Sequence, residues 1–175
     1  MMVRENVLLA PLTSLGVGGR ARFYIEAGGH EDLVDASAFA RTHNLPLRLL
    51  GAGTNVLIPD EDVEAVVVKL VCTGYSLVPS DDGSLLVAEG GVAWDTLVDC
   101  AATHALWGIE NLAGIPGSAG GALVQNIGAY GAELRDVFRC ADVFDCVQGI
   151  VRRIDSEEAD LAYRTSLFKE RRDLI

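Results

Sequence analysis

The spacing of apolar positions changes several times along the chain, and each change marks a predicted element. Residues 20–27 (R-A-R-F-Y-I-E-A) are aromatic and β-branched in the middle and lie between glycine pairs, which predicts a strand. In residues 30–44, Leu33, Val34, Ser37, Phe39 and Ala40 fall at roughly helical spacing, with Glu31 and Asp32 where a helix N-terminus favours acids. Residues 46–50 predict a short strand. This strand–helix–strand succession predicts a βαβ unit with a parallel pair. Residues 63–70 (V-E-A-V-V-V-K-L) predict another strand. Residues 75–78 and 85–88 flank Ser80-Asp81-Asp82-Gly83, a hairpin signal. In residues 93–105, Trp94, Leu97, Val98 and Ala101 stand at i, i+3, i+4 and i+7 of an amphipathic helix. Residues 137–146 and 150–154 predict a second hairpin turning at Val147-Gln148-Gly149. Residues 156–161 predict a short helix capped by Ser156, residues 163–169 an irregular segment, and residues 173–175 the opening of a strand. No repeat, low-complexity segment or linker is visible. The βαβ region gives way to hairpins at residues 71–74, dividing the chain into residues 1–70 and 71–175.

One stretch fits neither period. Residues 108–131 read G-I-E-N-L-A-G-I-P-G-S-A-G-G-A-L-V-Q-N-I-G-A-Y-G, with Glu110 the only charged side chain. Glycine is costly inside helices, so an ordinary amphipathic helix is excluded. Glycine also lets backbone N–H groups approach a ligand closely. A buried loop must satisfy those groups, and a large polar or anionic ligand would do so. A buried turn that only packs is the alternative.

A second glycine turn follows the strand at 46–50: Gly51-Ala52-Gly53-Thr54-Asn55. It is not a dinucleotide fingerprint. Val56 takes the place of the third glycine, Val56-Leu57-Ile58 is β-like, and Pro59 prevents a helix from opening. What remains suits a nest of N–H donors around a pyrophosphate, or a plain tight turn.

Composition narrows the function classes. Of 175 residues, 25 are acidic and 14 are Lys or Arg, a net charge of −11. Nucleic-acid binding needs clustered cations, so a nucleic-acid partner is excluded. An anion held by backbone N–H groups is not. No apolar run is long enough for a transmembrane helix, and residues 1–10 lack the apolar core of a secretory leader. Cys72, Cys100, Cys140 and Cys146 form no C-x-x-C pair and no zinc-type cluster, so reduced thiols and no metal are expected. His30, His43 and His104 are isolated and read as surface or capping residues.

Five motifs in order resemble the UDP-N-acetylenolpyruvoylglucosamine reductase (UDP-N-acetylmuramate dehydrogenase) family. They are L-T-S-L-G-V-G-G-R-A at 12–21, G-A-G-T-N-V-L at 51–57, E-G-G-V-A-W-D-T-L-V at 89–98, G-I-P-G-S-A-G-G-A-L-V-Q-N-I-G-A-Y-G at 114–131 and Y-R-T-S-L-F-K at 163–169. The fourth is long and specific. The resemblance implies an α+β fold, the two-lobed FAD-binding domain of the vanillyl-alcohol-oxidase (PCMH) type. Residues 1–70 would be the first lobe and 71–175 the second. Gly51, Ala52, Gly53, Thr54, Asn55 and Val56 would cradle the FAD pyrophosphate. Gly114, Ile115, Pro116, Gly117, Ser118, Gly120 and Gly121, with Asn126, Gly128, Ala129, Tyr130 and Gly131, would line the remaining flavin and ribityl contacts.

The family reaction reduces an enolpyruvyl ether on a nucleotide sugar to a lactyl ether, in the cytoplasm, for peptidoglycan precursor synthesis. NADPH reduces FAD, and flavin N5 passes the hydride to the substrate. By this resemblance Arg164 stabilises the enolate-like species, a role that suits a guanidinium addressing a carboxylate or enolate. Tyr163 would help shape the substrate site. Two departures stand out. Leu12-Thr13-Ser14 replaces the family's usual Asn-Thr-Phe. The family's proton-donating serine and late glutamate belong to a substrate domain beyond Ile175, so the sequence is expected to cover the cofactor-binding half and to stop inside the second lobe. A stand-alone flavin-binding module and another FAD-dependent oxidoreductase of the same superfamily are the alternatives. Those oxidases often attach FAD through His or Cys. Neither glycine loop contains His, so non-covalent FAD is expected.

Overall fold

The computed structural model describes residues 1–81 and 83–175. They divide into two compact units, Met1–Cys72 and Thr73–Ile175.

In the first unit, β1 (Val3–Leu8), β2 (Arg20–Ala27), α1 (His30–Thr42), β3 (Leu47–Leu50) and β4 (Val63–Leu70) follow in chain order. The sheet order is β1-β2-β4-β3, with β1 antiparallel to β2 and both β2 and β3 parallel to β4. The strand–helix–strand unit is therefore present, but its two strands do not pair with each other. β4 lies between them. The centre of β4, Ala65 to Val68, is a continuous buried apolar run, as befits a parallel strand away from the sheet edge.

β2 buries side chains on both faces. Tyr24 packs with Leu9, Leu50 and Val67. Phe23 meets Phe39 of α1 edge-on, ring centroids 5.0 Å apart at 87°, a favoured aromatic geometry. α1 turns Leu33, Ala36, Ser37 and Ala40 inward and leaves Val34 exposed. β1 was not foreseen, and its sequence explains why: V-R-E-N-V-L is largely polar and exposed at the sheet edge, and Asn6 takes a positive φ of 54°. Residues 56–58, β-like in sequence, form no strand.

The second unit opens with a hairpin of β5 (Tyr75–Ser80) and β6 (Gly83–Ala88). Asp82 of its turn lies outside the described residues. α2 (Trp94–Thr103) buries the four residues expected, Trp94, Leu97, Val98 and Ala101, and Trp94 Nε1 donates to the Leu112 carbonyl at 3.0 Å. These side chains share a core with Val92, Leu112, Ala122 and Ile127. Within the glycine-rich stretch a six-residue helix, α3 (Ala119–Val124), does form. Its glycines are explained by close approach: the Gly120 N–H donates to the Gly90 carbonyl at 2.9 Å, and a Cβ there would sit 3.2 Å from that oxygen.

The short strands β7 (Gly128–Ala129) and β8 (Ala132–Glu133) follow, then the hairpin of β9 (Cys140–Asp145) and β10 (Ile150–Asp155). Asp145 Oδ1 caps its turn, accepting from Val147 N at 2.9 Å and Gln148 N at 2.8 Å. The helix expected at 156–161 is absent. Asp155, not Ser156, accepts the following N–H groups (Glu157 at 3.0 Å, Glu158 at 2.9 Å), and residues 156–160 form hydrogen-bonded turns instead. The segment expected to be irregular at 163–169 contains the short helix α4 (Leu167–Glu170). Leu174 bridges to Asp145, which agrees with a strand opening at 173–175. Among the described residues, His43 and His104 cap the C-termini of α1 and α2. No helix there is long and apolar enough to cross a membrane.

Tyr24 provides a check on this packing. Burial pushes its phenol up to about 12, the neighbouring Glu26 charge and the hydrogen bond to Glu26 Oε1 (3.2 Å) act the same way, and Arg4 opposes them. A raised acid pKa stabilises the fold while the group stays protonated. That contribution is complete below the ordinary value of 10.0 and is lost as pH rises through about 12. Phenolate absorbance should thus show a late alkaline step that coincides with unfolding and disappears in Tyr24→Phe. A late step retained by Tyr24→Phe would refute the assignment.

Candidate cofactor and substrate site

The turn at residues 51–56 leaves the end of β3 and is braced by the segment before β2. Thr13 Oγ1 donates to the carbonyls of Ala10 (3.1 Å) and Val17 (3.0 Å), which folds residues 10–17 back on themselves. Ser14 N then donates to the Gly53 carbonyl at 2.9 Å. Gly53 has φ +73°, and a Cβ on it would stand 2.0 Å from the Leu12 carbonyl oxygen. Only glycine satisfies both the backbone and the contact. With the turn pinned this way, the N–H groups of Gly51, Ala52, Gly53 and Val56 donate to no acceptor among the described residues, while Thr54 and Asn55 are engaged within the protein.

The second glycine loop is braced from α2 and the residues before it. Gly114 N donates to Asp95 Oδ1 at 2.7 Å, Trp94 N to the Gly117 carbonyl at 3.0 Å, and Ala119 N to the Val92 carbonyl at 2.8 Å. Ser118 is buried and its Oγ accepts from Gly121 N. The N–H groups of Ile115 and Gly117 meet no acceptor among the described residues. Pro116 has no N–H, and Gly120 and Gly121 have theirs committed inside the unit.

Within the same unit, Asn126, residues 128–133, Arg135 and Asp136, with the turn carrying Tyr163 and Arg164, line a cavity of about 330 Å3. Ala162 and Thr165 close that turn by reciprocal hydrogen bonds of 3.1 Å, and Arg164 occupies a left-handed position at φ +56°. Arg164 Nη2 donates to the Gly128 carbonyl at 2.8 Å, Lys169 Nζ donates to the Arg164 carbonyl at 2.9 Å, and the guanidinium lies 6.0 Å from the Tyr163 ring centroid. Tyr130 and Tyr163 stand 88% and 79% exposed at the rim. Of the seven positive-φ non-glycine residues among the described residues, three, Asn126, Tyr130 and Arg164, line this one cavity. Such conformations persist only where the surroundings over-determine them.

Asn126 differs from the other residues of its loop. It is 1% exposed, and its carboxamide is spent inside the protein: Nδ2 donates to Glu133 Oε2 (2.8 Å) and to the Ala162 carbonyl (2.9 Å), and Oδ1 accepts from Arg135 N (2.9 Å). Gly128, Ala129 and Gly131 lie beside it on the cavity wall. Sequence reasoning missed Glu133, Arg135 and Asp136, which also line the cavity. Their signal was the E-x-x-D spacing of a capping box, which the structure contains at Glu133 and Asp136. Among the described residues no cluster of His, Cys, Asp and Glu could hold a metal ion.

A sequence-family model described as an FAD binding domain matches residues 21–155. The chain belongs to the FAD-binding-domain family. It is 41% identical over 172 residues to the UDP-N-acetylenolpyruvoylglucosamine reductase of Pseudomonas aeruginosa, covering 98% of this chain and 50% of that protein. The chain thus spans about half the length of the curated relatives it matches. The crystal structure of UDP-N-acetylenolpyruvylglucosamine reductase from Thermus caldophilus superposes with a TM-score of 0.76 at 32% identity, covering 94% of this chain and 57% of that one. A vanillyl-alcohol-oxidase-type flavoprotein from Myceliophthora thermophila matches at TM-score 0.61 and 15% identity over 84% of this chain and 30% of its own, a likeness of fold alone. The fold is therefore the α+β FAD-binding type expected from the sequence motifs, and FAD is the cofactor of the family.

The residues present fit that cofactor. FAD carries an anionic pyrophosphate and a polar ribityl chain, and backbone N–H groups without internal acceptors are suited to both.

Gly53→Ala tests the brace under the first loop. Forcing an L-residue into the left-handed region costs roughly 1–2 kcal/mol, and the carbonyl overlap adds to it, so a total loss of about 3 kcal/mol is expected. Gly29→Ala, at an extended position with open space around it, should cost no more than about 1 kcal/mol. Urea unfolding midpoints measure both, and equal midpoints for the two variants would show that the Leu12 contact does not constrain the loop.

Proposed function

We propose that this chain is the cofactor-binding part of a UDP-N-acetylenolpyruvoylglucosamine reductase. FAD is bound without a covalent link, NADPH is the reductant, and the substrate is a cytoplasmic nucleotide sugar carrying an enolpyruvyl ether. The observation that carries the reading is the pair of braced glycine loops whose N–H groups at 51–53, 56, 115 and 117 meet no acceptor among the described residues. We take units Met1–Cys72 and Thr73–Ile175 as the two FAD lobes.

FAD, when bound, supplies the redox step of the family. The chain's own residues bind and orient. The Gly51–Val56 backbone contributes donors to the pyrophosphate, and Ile115 and Gly117 contribute donors to the remainder of the cofactor. Arg164 is the catalytic residue. A guanidinium remains charged at every working pH, and its fork can address a carboxylate or enolate through two parallel hydrogen bonds. Its tie to the Gly128 carbonyl uses one donor and leaves others for substrate. Negative charge developing on the substrate beside that fixed cation is stabilised without reorganisation of the site. Tyr163 and Tyr130 offer aromatic surface with polar tips at the rim, and their exposure leaves them open to a ligand.

The test is an absorption spectrum of the purified chain after incubation with FAD and gel filtration. A protein-bound flavin band is expected, bleached by NADPH, and Gly53→Ala should lose it. A folded chain that elutes colourless would overturn the reading.

A further inference from the structure

We propose that Asn126 is a positioning residue that acts through Arg164, clamping the arginine-bearing turn onto the strand of backbone that follows α3. The inference rests on the reading of Arg164 as the catalytic group, but its geometry stands independently.

Asn126 and Ala162 are 36 positions apart in the chain, as are Gly128 and Arg164, and the structure joins the two segments by three ties in alternate steps. Ser166 Oγ donates to the Val124 carbonyl at 2.6 Å, Asn126 Nδ2 to the Ala162 carbonyl at 2.9 Å, and Arg164 Nη2 to the Gly128 carbonyl at 2.8 Å. Residues 124, 126 and 128 thus hold 166, 162 and 164. Asn126 is the middle tie, and it is the one whose side chain reaches in both directions. Its second Nδ2 donor goes to Glu133, and its Oδ1 receives the Arg135 N–H, so the same carboxamide fixes the opposite wall of the cavity.

All three contacts are made by a residue that is 1% exposed. A buried amide with every partner in place is rigid, and removing it strands the partners left behind. The charged groups facing it are Glu133, Arg135 and Asp136 on the wall and Arg164 on the turn. The donor-and-acceptor pattern specifies an amide. A carboxylate could accept from Arg135 N but could not donate to Ala162, and would face Glu133 with like charge. Arg164 sits at φ +56°, a conformation that relaxes unless held. The clamp at Ala162, two residues away, supplies the hold from outside the turn.

Hydrogen exchange on the chain without FAD tests this directly, with the Thr165 amide, which closes the turn on Ala162, as reporter. Asn126→Ala should speed its exchange about tenfold or more, speed tryptic cleavage after Arg164 to a similar degree, and leave the amides of β2 and β4 unchanged. In Asn126→Asp the increase should be larger at neutral than at mildly acidic pH, relative to wild type at each pH, because only the protonated carboxyl can donate to Ala162. A purely space-filling role would not produce that dependence. Thr165 exchange equal to wild type in folded Asn126→Ala overturns the proposal. If the variants do not fold, the unaltered chain decides. Its Asn126 carboxamide protons and Thr165 amide should open together across a urea series, and independent opening sinks the clamp. A chain that never retains FAD yet shows the coupled opening keeps the clamp and refutes the flavin reading. Retained FAD with uncoupled opening does the reverse.

Discussion

A backbone N–H that is held near the protein surface without an acceptor is an unfinished hydrogen bond, and this structure maintains several such groups in fixed positions. Maintaining them requires that neighbouring groups be committed elsewhere. Thr13 closes the segment before β2, Ser14 grips Gly53, Asp95 grips Gly114, and Trp94 grips Gly117. Each tie uses up the loop's alternatives for satisfying itself internally. The remaining donors at Gly51 to Gly53, Val56, Ile115 and Gly117 meet no acceptor among the described residues, which is what an anion bound from outside would need. The acidic character of the chain is no obstacle, because the donors are uncharged dipoles that carry no counter-ion requirement.

Much of the fold was legible in the sequence, and the failures have local causes. β2 and β4 were clear because each has a continuous apolar centre, Phe23 to Ile25 and Ala65 to Val68. α2 was clear because its four core residues keep strict helical spacing. β1 was illegible because an exposed edge strand needs no apolar face. Residues 156–160 looked helical from Ser156 and its acids, but Asp155 takes the N–H groups first. α3 was hidden because Gly120 answers to contact with Gly90, and Gly121 to contact with Ser118, rather than to helix propensity. The apolar run of β4 marks a strand away from the sheet edge, but local patterning does not say that its neighbours are β2 and β3.

The candidate site was legible in its glycine loops and in Tyr163 and Arg164, and not in the rest of the cavity wall. Glycine and proline at fixed offsets expose a loop that must meet something. The E-x-x-D spacing of Glu133 and Asp136 signals a cap, but nothing in the sequence distinguishes a cavity wall from a solvated surface. Asn126 is the instructive case. Its neighbours in the motif present backbone to the cavity, whereas its side chain turns inward and is fully consumed.

The insertion of β4 bears on the order of assembly. β2, α1 and β3 are contiguous in the chain, yet the two strands share no ladder until residues 63–70 arrive to separate and join them. As the chain emerges during synthesis, β2 can zip with β1 at once, but β3 has no partner until β4 is complete. The turn at residues 51–56 leads out of β3, so the first glycine loop takes its final shape only after a strand that begins at Val63 has docked. Formation of this glycine turn is thereby made contingent on completion of the whole sheet.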